Sequence, residues 1–350
     1  MENIERRPVT NDNLFDKKIS VTIGEDYRRQ TQSMRSWCNE HFESDEVKSM
    51  LGTFAAFVGL SPDDAGGGEL CYLFSTIIQD GGNNVVKGGF VNLPIALATY
   101  LKLKGGEIIT SSRVRKILVE NGKAIGVELE DGKLIGAKRL IASSTDPATL
   151  ILKLIGEEYV DTNISNSIKR MEWGDSIFGI YLALNGKLEY KSGQEEVAKS
   201  CQVHISPPGL ENFSKIFYEC RSGKLPSNPL PIMSNDSMMD PTRIMPVNGN
   251  SNNNKHLIKF LVLSVPYQLE DIDNQESRKY RWEEVKDRYA DQIIDIITKE
   301  YIPNLKDVIL KRVAYSPSDY EKNLLTLLRE PFHAELYCHI NRHGCVQSRS

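Results

Sequence analysis

The residues best suited to chemistry fall in three short stretches. The first is Lys87-Gly88-Gly89-Phe90. Paired glycines free the backbone for positive φ and let a neighbour come close, so a ligand can lie against the main chain there. The same pair also serves as plain punctuation ahead of a helix, and both readings stand. Lys87 offers its ammonium to a ligand or to solvent. The second stretch is Ser143-Ser144-Thr145. Its hydroxyls suit a ligand at a strand end and equally suit a turn before a helix cap. The third holds Cys338, His339, His343 and Cys345. Histidines four apart share a helix face. Asn341, Gly344 and the polar terminus favour a frayed tail instead, so no metal site is expected. His333 reads as a turn residue or as a site residue with nothing to separate the two. No Ser-His-Asp order, paired carboxylates or nucleophile elbow stands out, so no catalytic residue is named.

The elements that must hold the first two stretches run from Lys87 to Pro147. Leu93, Leu97 and Leu101, with Ala96 and Tyr100 beside them, give one apolar face to a helix. Gly105-Gly106 stops it, and Ile108-Ile109 begins an extended piece. A three-stranded meander follows. Arg115, Ile117 and Val119 share one face of its first strand. Asn121-Gly122 is a preferred two-residue hairpin turn. Ile125, Val127 and Leu129 alternate with polar or small residues, Asp131-Gly132 turns again, and Leu134 to Ile141 returns. Asp146-Pro147 then caps a helix carrying Leu150, Ile151, Leu154 and Ile155, which Gly156 ends.

The 350 residues are 40% hydrophobic and 26% charged, with a formal net charge of −4. That balance describes an ordinary globular chain with room for a core and two subdomains. It gives no reason to expect nucleic acid as a partner. No apolar run reaches bilayer length, and the N-terminus has no secretory segment. The six cysteines are scattered, so a reducing cytoplasm is the expected compartment.

Elsewhere the pattern is plainer. Ile19-Val21-Ile23 before Gly24 is the nearest approach to an opening strand, and residues 1–85 hold no G-x-G-x-x-G. Asp45 to Val58 reads as a helix burying Val47, Met50, Leu51, Phe54 and Phe57 or Val58. Gly66-Gly67-Gly68 reads as a flexible loop. Ser176 to Leu184 is a strand apolar on both faces. Val203–Ile205 and Ile216–Tyr218 are shorter strand candidates. Residues 222–254 are rich in Pro, Asn, Ser and Gly and read as a long loop. His256 to Tyr267 is a strand, and Trp282, Val285, Tyr289, Ile293, Ile296 and Ile297 mark an amphipathic helix ended by Pro303.

Several of these pieces, in order, resemble one family. They are the glycine pair before a helix, the segment GGEIITSSRVRKILVENGKAIGVELEDGK, and the strand end at SSTDP. Then come Ser237, Asp240, Pro241, Thr242 and Pro246, the step SPSDYE at 316–321, and FHAEL at 332–336. Together they are similar to the phytoene dehydrogenase-like FAD-dependent oxidoreductases of the amine oxidase and carotenoid desaturase group. Tyr320 stands where that family often has Leu. The resemblance runs from about Gly81 to Leu336. The family's glycine-rich flavin segments at either end have no counterpart here, so only the middle portion is matched.

The resemblance implies an α/β fold: a mixed-sheet substrate domain with helical cover, plus a β-meander from an incomplete FAD-binding domain. The boundaries it implies are a helical substrate-domain segment at 1–85 and a cofactor-domain helix and meander at 86–156. The substrate domain follows at 157–315, then a truncated C-terminal segment at 316–350. It places Gly88 and Gly89 near the isoalloxazine and the backbone of Val114 at the adenine. It implies hydride transfer from an apolar C–C or C–N substrate to FAD; the residue pattern by itself suggests Phe178, Tyr181 and Leu182 as lining of a pocket for such a substrate. With the fingerprint absent, a separate chain would have to supply the missing FAD-binding segment. Two other readings stay open: a flavin-free module binding a hydrophobic ligand or a protein, and a remnant without function.

Overall fold

Alternating apolar residues around Ser176–Asn185 build the strand on which the larger of two units is organised. A computed structural model of the chain describes residues 24, 27–28, 30–81, 85–171, 174–193, 195–244, 255–270, 281–324 and 346–348. Its longer helices are α1 (Met34–His41), α2 (Asp45–Phe57), α3 (Gly67–Gly81), α4 (Asn92–Leu103), α5 (Thr162–Lys169), α6 (Leu210–Arg221), α7 (Trp282–Glu300) and α8 (Pro317–Leu324). The strands are β1 (Gly106–Ile108), β2 (Val114–Glu120), β3 (Lys123–Leu129), β4 (Leu134–Gly136), β5 (Ser176–Asn185), β6 (Gln202–His204), β7 (Leu230–Ser234), β8 (Lys255–Val265), β9 (Ile309–Tyr315) and β10 (Val346–Ser348). This is a mixture of helices and antiparallel sheet, consistent with the expected α/β class.

One unit comprises residues 1–83 and 206–218. Here α1, α2, α3 and the first turns of α6 pack as helices. Ser33 and Ser44 cap α1 and α2, their hydroxyls accepting from the amides of Ser36 at 3.2 Å and Val47 at 3.3 Å. The buried side of α2 is its small-residue side, Ser49, Gly52, Thr53, Ala55 and Ala56, with Leu51. Met50, expected inside, is 52% exposed. The reason is close packing: a Cβ on Gly52 would meet Met34 at 2.5 Å and Leu210 at 3.3 Å. Gly67 and Gly68 are likewise no loose loop. They open α3, and side chains there would press on Met34 at 2.9 Å and Trp37 at 3.0 Å. Arg35 fastens the same unit, donating to Asp63 at 2.6 Å, Glu211 at 2.8 Å and Ser214 at 2.7 Å.

The other unit comprises residues 84–205 and 219–350. Its main sheet is antiparallel in the order β6-β7-β8-β5-β9. Phe178, Ile180, Leu182 and Leu184 point to one face of β5 and are buried. α7 covers that face with Trp282, Val285, Tyr289, Ile293, Ile294 and Ile297. Phe178 stacks on Trp282 at 5.5 Å between ring centroids and meets Tyr289 edge-on at 5.2 Å. Phe178 and Leu182 are therefore core residues. Tyr181 lies on the opposite face, against Tyr315, so the three do not line one pocket.

Two further readings are corrected here. Ile216–Tyr218 is helical, within α6. Leu210, Phe213, Ile216, Phe217 and Cys220 recur at helical spacing and are all buried. The stretch 222–254 is not all loop: β7 lies within it, between β6 and β8, despite Pro231. The asparagines at 252–254 lie outside the described residues, as do Ile19–Ile23, His333, Phe332–Leu336 and the 338–345 cluster.

The meander forms a separate antiparallel sheet, β2-β3-β4. Asn121 and Gly122 both take positive φ, 49° and 73°, as a primed hairpin turn requires. Ile117, Val127 and Leu129 are buried under Leu150, Leu154 and Ile155. Those residues belong to a π-helical segment, Thr149–Ile155, whose first amide donates to the Asp146 carboxylate at 2.8 Å. The third strand is shorter than expected, ending at Gly136. Helix α4 forms as its periodicity predicts, yet none of its residues is buried.

Candidate functional site

Gly88 and Gly89 take φ of 75° and 103°, values that an L side chain rarely adopts. The turn closes on itself through the Gly89 amide, which donates to the Val86 carbonyl at 3.0 Å. Asn92 in the first turn of α4 donates from its side chain to the Lys87 carbonyl at 2.7 Å. A Cβ at Gly88 would run into that amide at 2.6 Å, whereas at Gly89 no atom of the described residues lies within 4 Å. The turn is thus crowded on one side and open on the other.

Its anchor comes from far along the chain. The Gly88 amide donates to Oδ2 of Asp240 at 2.5 Å, across 152 positions of sequence. Oδ1 of Asp240 caps the short 3-10 turn Pro241–Arg243, accepting from the Thr242 amide at 3.2 Å and its hydroxyl at 2.5 Å. Arg243 completes the junction. It donates to the Val86 carbonyl at 2.9 Å, to Asp236 at 2.6 Å and to Asp240 at 3.3 Å. The Thr242 hydroxyl, the Gly88 amide and Arg243 all favour the ionised form, holding the Asp240 carboxyl well below its ordinary range, at about 2. Ser237 both accepts from the Leu257 amide and donates to the Leu257 carbonyl, each at 3.0 Å, which ties the segment to β8. Cys201 points its thiol at Asp236 at 3.4 Å, and burial, with that carboxylate beside it, raises the thiol's pKa.

From the sequence, Asp240 and Pro241 stand out only within the family resemblance, which misses this reach. Ser237, Asp240 and Thr242 each have a structural task, but their spacing does not point to Gly88. Val114 belongs to the meander. It opens β2 opposite Leu129 and packs with the meander's small core. Ser143 and Thr145 bond to one another at 2.8 Å, as a turn before a cap would. Lys87 is exposed. Among the described residues no group of three or more His, Cys, Asp or Glu is placed to hold a metal, and no helix is long and apolar enough to cross a membrane.

For a flavin the fit is partial. The open side at Gly89 suits the approach of a flat ring. Residues 1–85 contain no G-x-G-x-x-G to approach the pyrophosphate. The residues present therefore do not fit the whole cofactor.

No protein-family model matches the chain. Among curated proteins, it is 23% identical over 317 residues to pyridine nucleotide-disulfide oxidoreductase domain-containing protein 2 of Rattus norvegicus, covering 87% of this chain and 52% of that protein. It is 24% identical to a limonene dehydrogenase subunit from Castellaniella defragrans, covering 86% and 54%. It is 26% identical to 4,4'-diaponeurosporene oxygenase of Staphylococcus aureus, covering 88% and 55%. The chain thus spans about half the length of these relatives. In fold it is similar to an oxidoreductase from Methanosarcina mazei, with a TM-score of 0.53 at 15% identity over 88% of this chain and 64% of that one. Order of motifs, fold and relatives agree: over most of its length this chain is similar to oxidoreductases of the phytoene dehydrogenase-like, carotenoid desaturase group.

Proposed function

We propose that the chain is the substrate-domain and meander portion of an FAD-dependent oxidoreductase. Its reaction class would be hydride transfer from an apolar C–C or C–N substrate to FAD. On this reading residues 86–156 belong to the cofactor domain, 1–85 and 157–315 to the substrate domain, and 316–350 to a C-terminal segment. Gly88 and Gly89 face the ring and Val114 the adenine. The observation that carries the reading is the Gly88–Gly89 turn, braced on one side by Asp240 and Arg243 and open on the other. When bound, the flavin supplies the electron chemistry, and this chain's part is to hold a rigid backbone surface beside it.

On this reading FAD binding needs a glycine-fingerprint segment that residues 1–85 do not contain, and we propose a separate chain as its source. Two observations support that. Residues 1–85 lack the glycine fingerprint, and α4, with no buried residue, presents Leu97 at 56% and Tyr100 at 61% exposure. One relative is by name part of a multi-chain enzyme, and the substrates named for limonene dehydrogenase and diaponeurosporene oxygenase are apolar. The missing fingerprint also favours the second reading, a flavin-free module for a hydrophobic ligand or a protein.

The visible spectrum of the protein drawn from its native cell, and of the isolated chain, is the test. Flavin bands in the native material that vanish from the isolated chain support the first reading. Colourless native material that binds an apolar ligand supports the second. Stoichiometric, tightly held FAD on the isolated chain overturns the dependence on another segment.

A further inference from the structure

We infer that Asp240 is a positioning residue that sets the conformation of the Gly88–Gly89 turn, using the carboxylate oxygen its capping role leaves over. This rests on the reading of that turn as the surface facing the cofactor.

The two carboxylate oxygens divide the labour. A helix cap needs one acceptor, and Oδ1 fills that need with the Thr242 amide and hydroxyl. Oδ2 has no part in the cap. It takes the Gly88 amide and the Nε of Arg243. Arg243 then closes the loop by reaching the Val86 carbonyl, the other end of the same turn. A donor at one end of the turn and an acceptor at the other are thus held by two residues three positions apart. Both ends matter, because glycines at φ 75° and 103° have many competing conformations open to them. Without outside bonds, the pair would sample those conformations instead of presenting one surface. Arg243 has its guanidinium shared among two carboxylates and a carbonyl, so its fork geometry serves this junction. Asp240 and Arg243 are mostly buried, with side chains 8% and 17% exposed, and so are placed to brace the turn from beneath.

Asp240→Asn separates the two roles. The amide keeps one oxygen for the cap but puts an NH2 group, which accepts nothing, opposite the Gly88 amide. Asp240→Ser likewise retains a capping oxygen and lacks the second. Hydrogen exchange of the full chain, followed in the peptide covering residues 85–91 and in the β5 and β8 peptides, reads the outcome. The expected result for both variants is exchange faster by about tenfold in 85–91, with β5 and β8 unchanged. Arg243→Lys, which keeps the charge and loses the fork, gives a smaller acceleration in the same peptide. Unchanged exchange at 85–91 in Asp240→Asn and Asp240→Ser overturns the inference, as does acceleration spread equally over β5 and β8. The native-source spectrum is a separate readout. If that material holds no flavin while the variants still loosen 85–91, the positioning role stands and the cofactor reading falls.

Discussion

Helices α4 and α7 are both rich in apolar residues, α4 nearly all round and α7 along one stripe, and they meet opposite fates. α7 places Trp282, Val285, Tyr289, Ile293 and Ile297 against the face of β5 that bears Phe178 and Ile180, and all are buried. α4 carries Leu93, Ile95, Leu97, Leu101 and Leu103 and buries none of them. Leu103 is 78% exposed. The spacing of apolar residues therefore establishes that a helix forms, because the pattern and the 3.6-residue turn coincide. It does not establish what the helix packs on. Burial is a property of the partner surface, and α7 has a sheet of matching breadth beside it.

The comparison can be broken at its strongest point first. Ile293→Ala removes a fully buried side chain from the α7 interface and is expected to destabilise the protein by about 2–5 kcal/mol, measured by urea unfolding. A loss under about 1 kcal/mol would mean that the α7 interface is loosely packed and no different in kind from α4.

The far face of β5 gives the next test. A Cβ at Gly179 would collide with the Tyr320 hydroxyl and lie 3.2 Å from the Tyr181 ring. Gly179→Val should therefore lower stability by about 1–3 kcal/mol through overpacking. Tolerance of valine there would show that this face, like α4, has room to spare.

A more local effect concerns pH. The folded-state pKa of Asp240 is depressed to about 2. Its contribution is therefore complete above the ordinary carboxylate range and is lost as pH falls through that range toward about 2. The Gly88 amide proton resonance should titrate with a midpoint of about 2 in the wild type and lose that titration in Asp240→Asn. A midpoint at about 4, the ordinary aspartate value, would mean that the Thr242, Gly88 and Arg243 bonds do not favour the carboxylate.

The smallest effect is expected at α4 itself. Leu97→Ser should change stability by no more than about 0.5 kcal/mol, since little area is removed from water there. A loss approaching that of Ile293→Ala would show that α4 is covered in solution.

The sequence was most readable where local chemistry and burial coincide. The hairpin at Asn121-Gly122, the strand Ser176–Asn185 and the stripe of α7 all follow from residue type and period alone. It was least readable where tertiary packing overrides composition. Gly66-Gly67-Gly68 looks like a flexible loop, yet two of its glycines begin a helix because Met34 and Trp37 leave no room for side chains. Pro231 and its polar neighbours suggest a loop, yet Leu230, Ile232 and Met233 are drawn into the sheet beside β8. Phe178, Tyr181 and Leu182 look like one lining until the period of two sends Tyr181 to the other face. The Gly88 to Asp240 bond lay beyond any local pattern, since nothing near either residue announces the other.

The two glycines of that turn are constrained for different reasons. Substitution at 88 is barred by torsion and also by the Asn92 amide; at 89 the bar is torsional alone. As sequences diverge from this one, position 88 should stay glycine on both grounds, while at 89 the backbone torsion alone is enough to hold glycine in place.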